Sequence, residues 1–561
     1  MDKIRIFLWS ALGVLLWFNL ITWQRDYPDA VAPTATETPS SAQTSSLPSL
    51  PQASSSSAAT AALQTTGTSP LPGNAPVAPA AAARKIHVTT DVLDLDINTR
   101  GGDIERADLV RYTLNKDQPT TPMRLLDDRA MSLFIAHSGL LAPDQALAPS
   151  HLANFSADAD SYQLTAGAND LTVALHWMND GVTVTKTYVL HRGSYAIEVR
   201  YAVNNNSTSE WQGASYVQLF RHDLPVSRSM FNAETISSRG PAIWDGKSYR
   251  KLNIKSAEDQ KYQAAFTSGW MAAIQHHFVV AAVPSGEQSY DYSLSTDTNN
   301  DFTLTYRGPL QTVAPGATGM FAEKLYVGPK LQDQLTATGP NLERTADYGK
   351  LTIIAQPLFW LLKKVNQFIG NWGVDIIIVT LLIKLAFYKL TAASGRSMAK
   401  MRTLAPRIKS VQERYKDDRE QLGRAMMELY KREKINPVAG CLPMLIQMPF
   451  FLGFYWVLLE SAEMHQAPFI AWITDLSARD PYFVLPIIMG IANFAQFKMN
   501  PPPPDPTQAK VMAIMPVVMT VMMAWFPAGL VLYWITNTVT SALQQWRINQ
   551  LVAADAKRAV T

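Results

Sequence analysis

Cysteine is almost missing from the 561 residues: Cys441 stands alone, which excludes a disulfide framework and any site built from several thiolates. Charge is scarce too, at 17% of residues against about 25% in soluble globular proteins, and the deficit lies in the N-terminal segment and the last third. A net charge of +3 supplies no global field for a nucleic acid. The nine histidines form no H-E-x-x-H, and neither a G-x-S-x-G nor a P-loop occurs. His276 and His277 are adjacent, and adjacent strand residues point to opposite faces, so joint metal ligation is not expected. Nothing here calls for a cofactor, a metal or an enzyme.

What is present is apolar length. Lys3 and Arg5 precede the run Ile6–Trp23, long enough for a bilayer core. Ala30-Val31-Ala32 has the small-residue spacing of a signal-peptidase site. The run is longer than a usual signal core, however, and Pro33 would follow the cut. Residues 1–24 therefore read as an uncleaved anchor with a cytoplasmic N-terminus. Residues 25–84, from 32 on almost entirely Ala, Ser, Thr and Pro, bury too little to order themselves and read as a flexible linker.

From Lys85 the pattern becomes period two. Val92–Ile97, Leu171–Leu175, Val182–Leu190 and Tyr195–Val203 alternate, and Asn179-Asp180-Gly181 marks a turn. Residues 85–345 are expected to form a large antiparallel β-sandwich, used for binding or spacing. Leu331–Gly349 reads as a polar connector. Residues 350–370 read as an amphipathic helix in the membrane interface, interrupted by Lys363 and Lys364 and broken by Pro357; an ordinary helix packed on the β-domain is the plainer reading.

Trp372–Leu390 follows as a spanning segment (371–392). Four more lie within 437–549, approximately Cys441–Leu459, Tyr482–Phe497, Val511–Phe526 and Gly529–Trp546, before a tail at 550–561. Phe526-Pro527-Ala528-Gly529 forces the last two into a tight hairpin. Lys389 to Lys434 carries 13 Lys/Arg against 6 Asp/Glu, whereas Glu460 to Asp480 is acidic. Together these loops predict six crossings, both termini cytoplasmic and the β-domain outside. The basic stretch (396–435) reads as a helical hairpin, Met398–Tyr415 and Arg419–Lys434, with Lys409 and Glu413 spaced to pair. It is either a solvated face or a docking arm for anionic phospholipids, a ribosome or a targeting factor.

One residue conflicts with its surroundings. Lys384 lies two-thirds along Trp372–Leu390, where a charge costs roughly 2.5–3.5 kcal/mol on insertion scales. Asp375 is nine residues back and half a turn out of phase, so it is no partner. Thr380 and Tyr388 flank Lys384 at i−4 and i+4. The last segment carries Tyr533, Thr536, Asn537 and Thr540 as a polar stripe, and Gln447, Asn493 and Gln496 add polar groups on two others. Lys384 either snorkels toward Lys389 or lines a wet cavity, and the stripe is either interhelical glue or the wall of that cavity. The coincidence of a charge with polar residues on several helices is what a water-containing cavity requires. Met512, Met515, Met519, Met522 and Met523 make one segment methionine-rich: core filler, or a surface that accepts many apolar partners.

Asn436–Leu458, Gln466–Gly490 and Trp525–Asn537 resemble the YidC membrane-protein insertase family, whose relatives are the Oxa and Alb-type proteins. The likeness runs through Leu351–Trp546, and Ile236–Lys251 resembles the Gram-negative form with its large β-domain. The resemblance implies a bacterial inner-membrane protein of six transmembrane helices, a five-helix core around a hydrophilic groove. It also implies a periplasmic β-supersandwich and a cytoplasmic hairpin. The implied function is insertion and folding of membrane proteins, alone or beside the Sec translocon. Groove residues would be Lys384, Thr380, Gln447, Tyr533, Trp534, Thr536 and Asn537. The apolar slide would be Met448, Phe451, Met515, Met519 and Met522. Two positions depart from the family pattern: Lys384 aligns with an arginine and Trp534 with a tyrosine. A solute transporter or channel with a midplane polar site is the alternative; it predicts an inverted repeat, which the sequence does not show.

Overall fold

In Leu93–Asn98 the residues Leu93, Leu95 and Ile97 are buried while Asp94, Asp96 and Asn98 face outward, and this alternation recurs through two stacked sheets. The computed structural model describes residues 83–114, 120–223, 239–297, 301–415, 418–433, 442–499 and 506–558. The Ile6–Trp23 anchor, the linker to residue 82, the first three residues of Ile236–Lys251, Cys441 and the Pro501–Pro504 loop lie outside them.

The first sheet has eleven strands. Its path runs Gln263–Thr267, Ser289–Thr296, Asp301–Arg307, Trp211–His222, Phe134–Leu141, Asp103–Thr113, Leu93–Asn98, Lys85–Thr89 and Ser161–Gln163. The second has nine, in the order Tyr249–Lys251, Arg239–Trp244, Trp270–Gln275, Phe278–Pro284, Thr318–Pro329, Ala196–Asn205, Val182–His191, Asp170–Asn179 and Ser156–Ala157. Asp180 and Gly181, at φ 44° and 76°, close the hairpin between Asp170–Asn179 and Val182–His191, as a two-residue turn with both centres left-handed demands. Trp211, Trp270, Tyr188, Tyr201 and Tyr306 are buried in the β-domain core. A polar cluster is sealed there as well: Lys186 donates to the Gly101 and Ser138 carbonyls at 3.0 Å each, 3.6 Å from Asp103.

The segment after the last strand, read as a polar connector, packs on the β-domain through two leucines. Helix α1 (Gln332–Thr338) buries Leu335, and Leu342 follows it into the β-domain core. Helix α2 (Thr352–Ile369) departs from expectation, running unbroken through Pro357. The ring removes one helical bond near the N-terminal turn, too early to end the helix. Ala355, Leu358, Phe359 and Leu362 face inward, and Ile353, Trp360 and Phe368 stand out.

Helix α3 (Trp372–Ala386) starts at Asn371, whose side chain accepts from the Gly373 and Val374 amides. It does not continue to Leu390. At Phe387 the chain turns by 71° into α4 (Tyr388–Thr403). Phe387 packs edge-on against Phe450, and α4 is drawn onto the last helix, burying Ala392 and Ala399 beside Ile548. Helix α5 (Ala405–Arg414) and α6 (Arg419–Arg432) pack through Leu404, Ile408, Met426 and Tyr430. Leu404 and Pro406 divide what reads in sequence as one helix to Tyr415. Among the described residues the ion pairs here join Arg407 to Glu433 at 2.7 Å, across the hairpin, and Arg424 to Glu420 on α6, and not Lys409 to Glu413.

Helices α7 (Leu442–Glu460), α8 (Val484–Met499), α9 (Pro506–Met523) and α10 (Ala528–Arg558) complete the chain. No single described helix is long and apolar enough by itself to cross a membrane; the bent pair α3 and α4 is, taken together. Ile487, Ile491, Val517, Val518, Leu543 and Trp546 are exposed on these helices. The acidic loop between α7 and α8 is structural. Asp480 accepts from the Tyr482 and Leu485 amides and the Trp472 indole, and so starts α8. The Ala528 and Gly529 amides reach back to the Ala478 and Leu476 carbonyls, which fixes the hairpin into α10.

Candidate functional site: a polar cleft between the helices

The bend at Phe387 puts Lys384 in the last turn of α3, where helix carbonyls favour a cation. Its ammonium neither pairs with Asp375 nor reaches out past Lys389. Asp375 accepts instead from Asn366 at 2.6 Å, and Lys384 Nζ donates to Ser541 Oγ on α10 at 2.7 Å. Ser541 donates its own proton to the Asn537 carbonyl at 2.7 Å, so the oxygen lone pair is turned toward the ammonium.

Lys384 borders a cleft of about 580 Å³. Gln447, Asn493, Gln496, Asn537, Thr538, Ser541, Gln544 and Gln545 supply hydrogen-bonding groups to its walls, and Met448, Phe451, Met512, Met515 and Met519 supply an apolar side. A second, smaller pocket of about 40 Å³ adjoins the cleft, sharing Lys384, Thr391, Gln447 and Asn537 with it and lined also by Thr380 and Tyr533. Trp534 donates to Asn493 at 3.3 Å and stands edge-on to Phe451, while Tyr533 stacks on Phe454.

Of the groove residues read from the sequence, Lys384, Thr380, Gln447, Tyr533, Trp534 and Asn537 converge here. Thr536 does not: its hydroxyl is returned to the Leu532 carbonyl, and it lines neither the cleft nor the pocket. Met448, Phe451, Met515 and Met519 line the cleft, and Met522 lies outside it. Sequence reasoning misses Thr391, Ser394, Ser541, Gln544 and Gln545. Continuing the α10 stripe from Asn537 by four and then three residues reaches Ser541 and Gln544.

The other clusters offer less. His87, Asp94 and Asp96 are close enough to share a cation, yet Arg106 already occupies them, 2.7 Å from Asp94 and 2.6 Å from Asp96. His276 and His277 are not on a strand. They form the turn between two strands, His276 has φ 36°, and their rings stack at 3.7 Å with His465 continuing the pile at 4.4 Å. The expectation of opposite faces fails because a left-handed turn residue breaks the alternation.

Residues 364–555 match the family described as 60Kd inner membrane protein, and residues 85–361 match the YidC periplasmic domain. The chain is 42% identical to the membrane protein insertase YidC of Stutzerimonas stutzeri and 44% identical to that of Thioalkalivibrio sulfidiphilus, with 100% of both chains covered in each case. A solved structure of an active YidC insertase aligns with 83% of this chain and 92% of its own, at 16% identity and a TM-score of 0.40.

Proposed function

The chain belongs to the YidC family of membrane protein insertases, and from that premise we propose that its substrates enter the membrane through the cleft beside Lys384. As a family member it is an inner-membrane protein with a periplasmic β-domain, and it is not an enzyme. Our reading of its topology is six crossings, the first being Ile6–Trp23, with both termini in the cytoplasm; the basic arm of α4 to α6 and the acidic loop between α7 and α8 support it.

The observation that carries the mechanism is the two-sided cleft: one cation and a set of amides and hydroxyls against a methionine wall. Helix α3 rises about 22 Å at 1.5 Å per residue, less than the roughly 30 Å of a hydrocarbon core. Lys384 thus ends a short helix, and the cleft takes over where it stops. In this reading the polar wall hydrates the part of a substrate that must be translocated, and Lys384 attracts its acidic residues. The substrate's apolar segment leaves along Met448, Phe451, Met515 and Met519, whose flexible side chains accept different shapes. Partition of that segment into lipid drives the step, aided by the membrane potential, about 2.3 kcal/mol per charge per 100 mV.

The membrane-protein substrate is the first partner. The α5–α6 arm, with its cross-helix pair, is the proposed contact for a ribosome, targeting factor or anionic phospholipid, and the Sec translocon is the proposed neighbour for lateral release. Reconstituted vesicles test the cleft: Lys384→Ala should fail to insert a single-span substrate with an acidic translocated tail. Unchanged insertion would remove the groove charge from the mechanism.

A further inference from the structure

The loop between α7 and α8 turns four large side chains away from the protein. Ile470 and Tyr482 are 65% and 68% exposed, and Trp472 and Phe483 are exposed beside them. The Trp472 and Tyr482 rings stand edge-on with centroids 6.4 Å apart, so the two arms of the loop present one patch. The loop does not lack a core to fill, because Ile473 and Leu476 are buried among the helices. Its backbone is constrained where the patch forms. Ala471, between Ile470 and Trp472, has φ 50°, and Phe483 has φ 58°. Non-glycine residues keep such a conformation only where their surroundings impose it. Here the Phe469 amide donates to the Ile473 carbonyl at 2.9 Å, closing the turn, and the buried Asp480 accepts from the Trp472 indole at 3.0 Å.

We propose that Ile470, Trp472, Tyr482 and Phe483 form a foot seated in the headgroup layer of the outer leaflet, with Arg479 toward the lipid phosphates. The partner is the phospholipid surface itself. Indole and phenol rings are amphipathic and collect at membrane–water interfaces. Arg479 is exposed, and among the described residues its guanidinium meets no carboxylate, so its charge complements a phosphate. Continuity with α8 favours lipid over a protein partner. Phe483, Ile487 and Ile491 recur every four residues, are all exposed, and have no charged residue between them. Helix α8 has 16 residues, about 24 Å at 1.5 Å per residue, and its apolar stripe runs straight into the foot. This rests on the reading of α8 as a crossing whose Val484 end lies outside. The same loop holds the β-domain, through Gln466 to the Thr113 carbonyl and His465 stacked on His277. A foot in the lipid therefore sets the height of the β-domain above the membrane.

The test uses the full chain in vesicles of phosphatidylethanolamine and phosphatidylglycerol, with Cys441→Ser as background and a fluorophore on one introduced cysteine. Tyr482→Cys reports the foot, Ile491→Cys the side of α8, and Met178→Cys an exposed position on the β-domain. The quenchers are lipids spin-labelled near the headgroup or deep in the acyl chain, and iodide on both sides of the membrane. The label at 482 should be quenched severalfold more by the shallow lipid than by the deep one, and severalfold less by iodide than the label at 178. Ile470→Asp with Phe483→Asp should abolish both differences; aspartate tolerates the left-handed backbone at 483. An unmoved label at 491 shows that this variant is folded. Iodide quenching at 482 equal to that at 178 would overturn the foot. Protection at 482 that appears only after the Sec translocon is added would also overturn it, and would make the patch a protein contact. If the label at 491 escapes the deep lipid quencher, the reading of α8 as a crossing fails. If 491 is quenched by deep lipid while 482 stays in water, only the foot fails.

Discussion

Lys330 and Glu460 face each other at 3.2 Å with both side chains fully buried, one immediately after the strand Thr318–Pro329 and the other at the end of α7. The pair lies at the junction between the β-domain and the helices. Around it the Gln332 amide donates to Glu463, Tyr348 meets Ser461 at 3.2 Å, and Gln466 donates to the Thr113 carbonyl. Helix α7 also carries Gln447, Met448 and Phe451 into the cleft, so the β-domain grips an element of the proposed substrate path.

Breaking such a pair from one side leaves an uncompensated buried charge, at a cost of about 3–5 kcal/mol. Lys330→Met alone and Glu460→Gln alone should therefore each lower the apparent melting temperature of the purified protein. The double substitution Lys330→Met with Glu460→Leu should recover most of the loss, because apolar groups of similar size remove both desolvation costs. Additive losses in the double variant would mean that the two residues act separately.

The same junction should weaken in acid. His276 and His277 stack with His465, whose ring also meets Tyr112 and Phe278, and Lys330, paired with Glu460, is the charge that acts on the two histidines. His276 also bonds through Nε2 to the Leu459 carbonyl of α7 at 2.9 Å, which ties the turn to the helices. Burial holds His277 well below its ordinary value, and burial beside Lys330 brings His276 down to about 4. Both rings therefore stay neutral in the docked state. A base with a depressed value contributes stability that is full above its free value near 6.5 and is lost as pH falls toward 4. Glu463 opposes this: burial raises its carboxyl to about 7, so its contribution is full below its free value and is lost as pH rises through 7. Two histidines outweigh one carboxyl, so docking should loosen between pH 6.5 and 4. Distances between spin labels on the β-domain and on α8 would report it, with a broadened distribution at about pH 4.5 that narrows again in His277→Phe. An unchanged distribution across that range would show that the histidines only pack.

Much of this is legible in the sequence. Period-two runs and the Asp180-Gly181 turn announce the sheets, and helical phase rules out Asp375 as the partner of Lys384. What is not legible depends on contacts between distant segments. Nothing near Phe387 in sequence marks a bend; the cause is Phe450 and the surface of α10. Leu331–Gly349 looks polar, yet Leu335 and Leu342 are enough to anchor it. Thr536 fits the stripe by spacing, but a threonine in a helix can bond to the carbonyl four residues back, and this one does.

The helical core contains a contact with almost no tolerance. A Cβ on Gly373 would fall inside the Phe469 ring's own contact radius and only 2.8 Å from Phe469 Cβ, so the ring would have to leave its place. Gly373→Ala should destabilise the protein by about 1–3 kcal/mol, the usual range for overpacking. Phe469→Ala in the same chain should relieve the clash and restore part of the loss. Thermal melts of the two single variants and the double variant give the coupling. Strictly additive effects would show that Gly373 is needed for a reason other than this ring.

Gly395 poses a similar question where α4 crosses α10. Its Cβ would meet Gln545 Oε1 and Ile548 Cδ1, each at 2.8 Å. Both are far ends of side chains, so Gly395→Ala should be accommodated by small shifts. Gly395→Val should instead separate the helices and break the bonds that close this side of the cleft, Gln544 to Thr391 at 2.9 Å and Gln545 to the Gly395 carbonyl at 3.2 Å. The expected result is an α5–α6 arm cut faster by added protease, with insertion reduced for acidic-tailed and neutral-tailed substrates alike, because the wall of the cleft is lost and not its charge. This separates the variant from Lys384→Ala, whose defect should follow the acidity of the tail. If Gly395→Val affected only acidic-tailed substrates, the α4–α10 contact would be acting through Lys384, and the cleft wall would not need to be closed there.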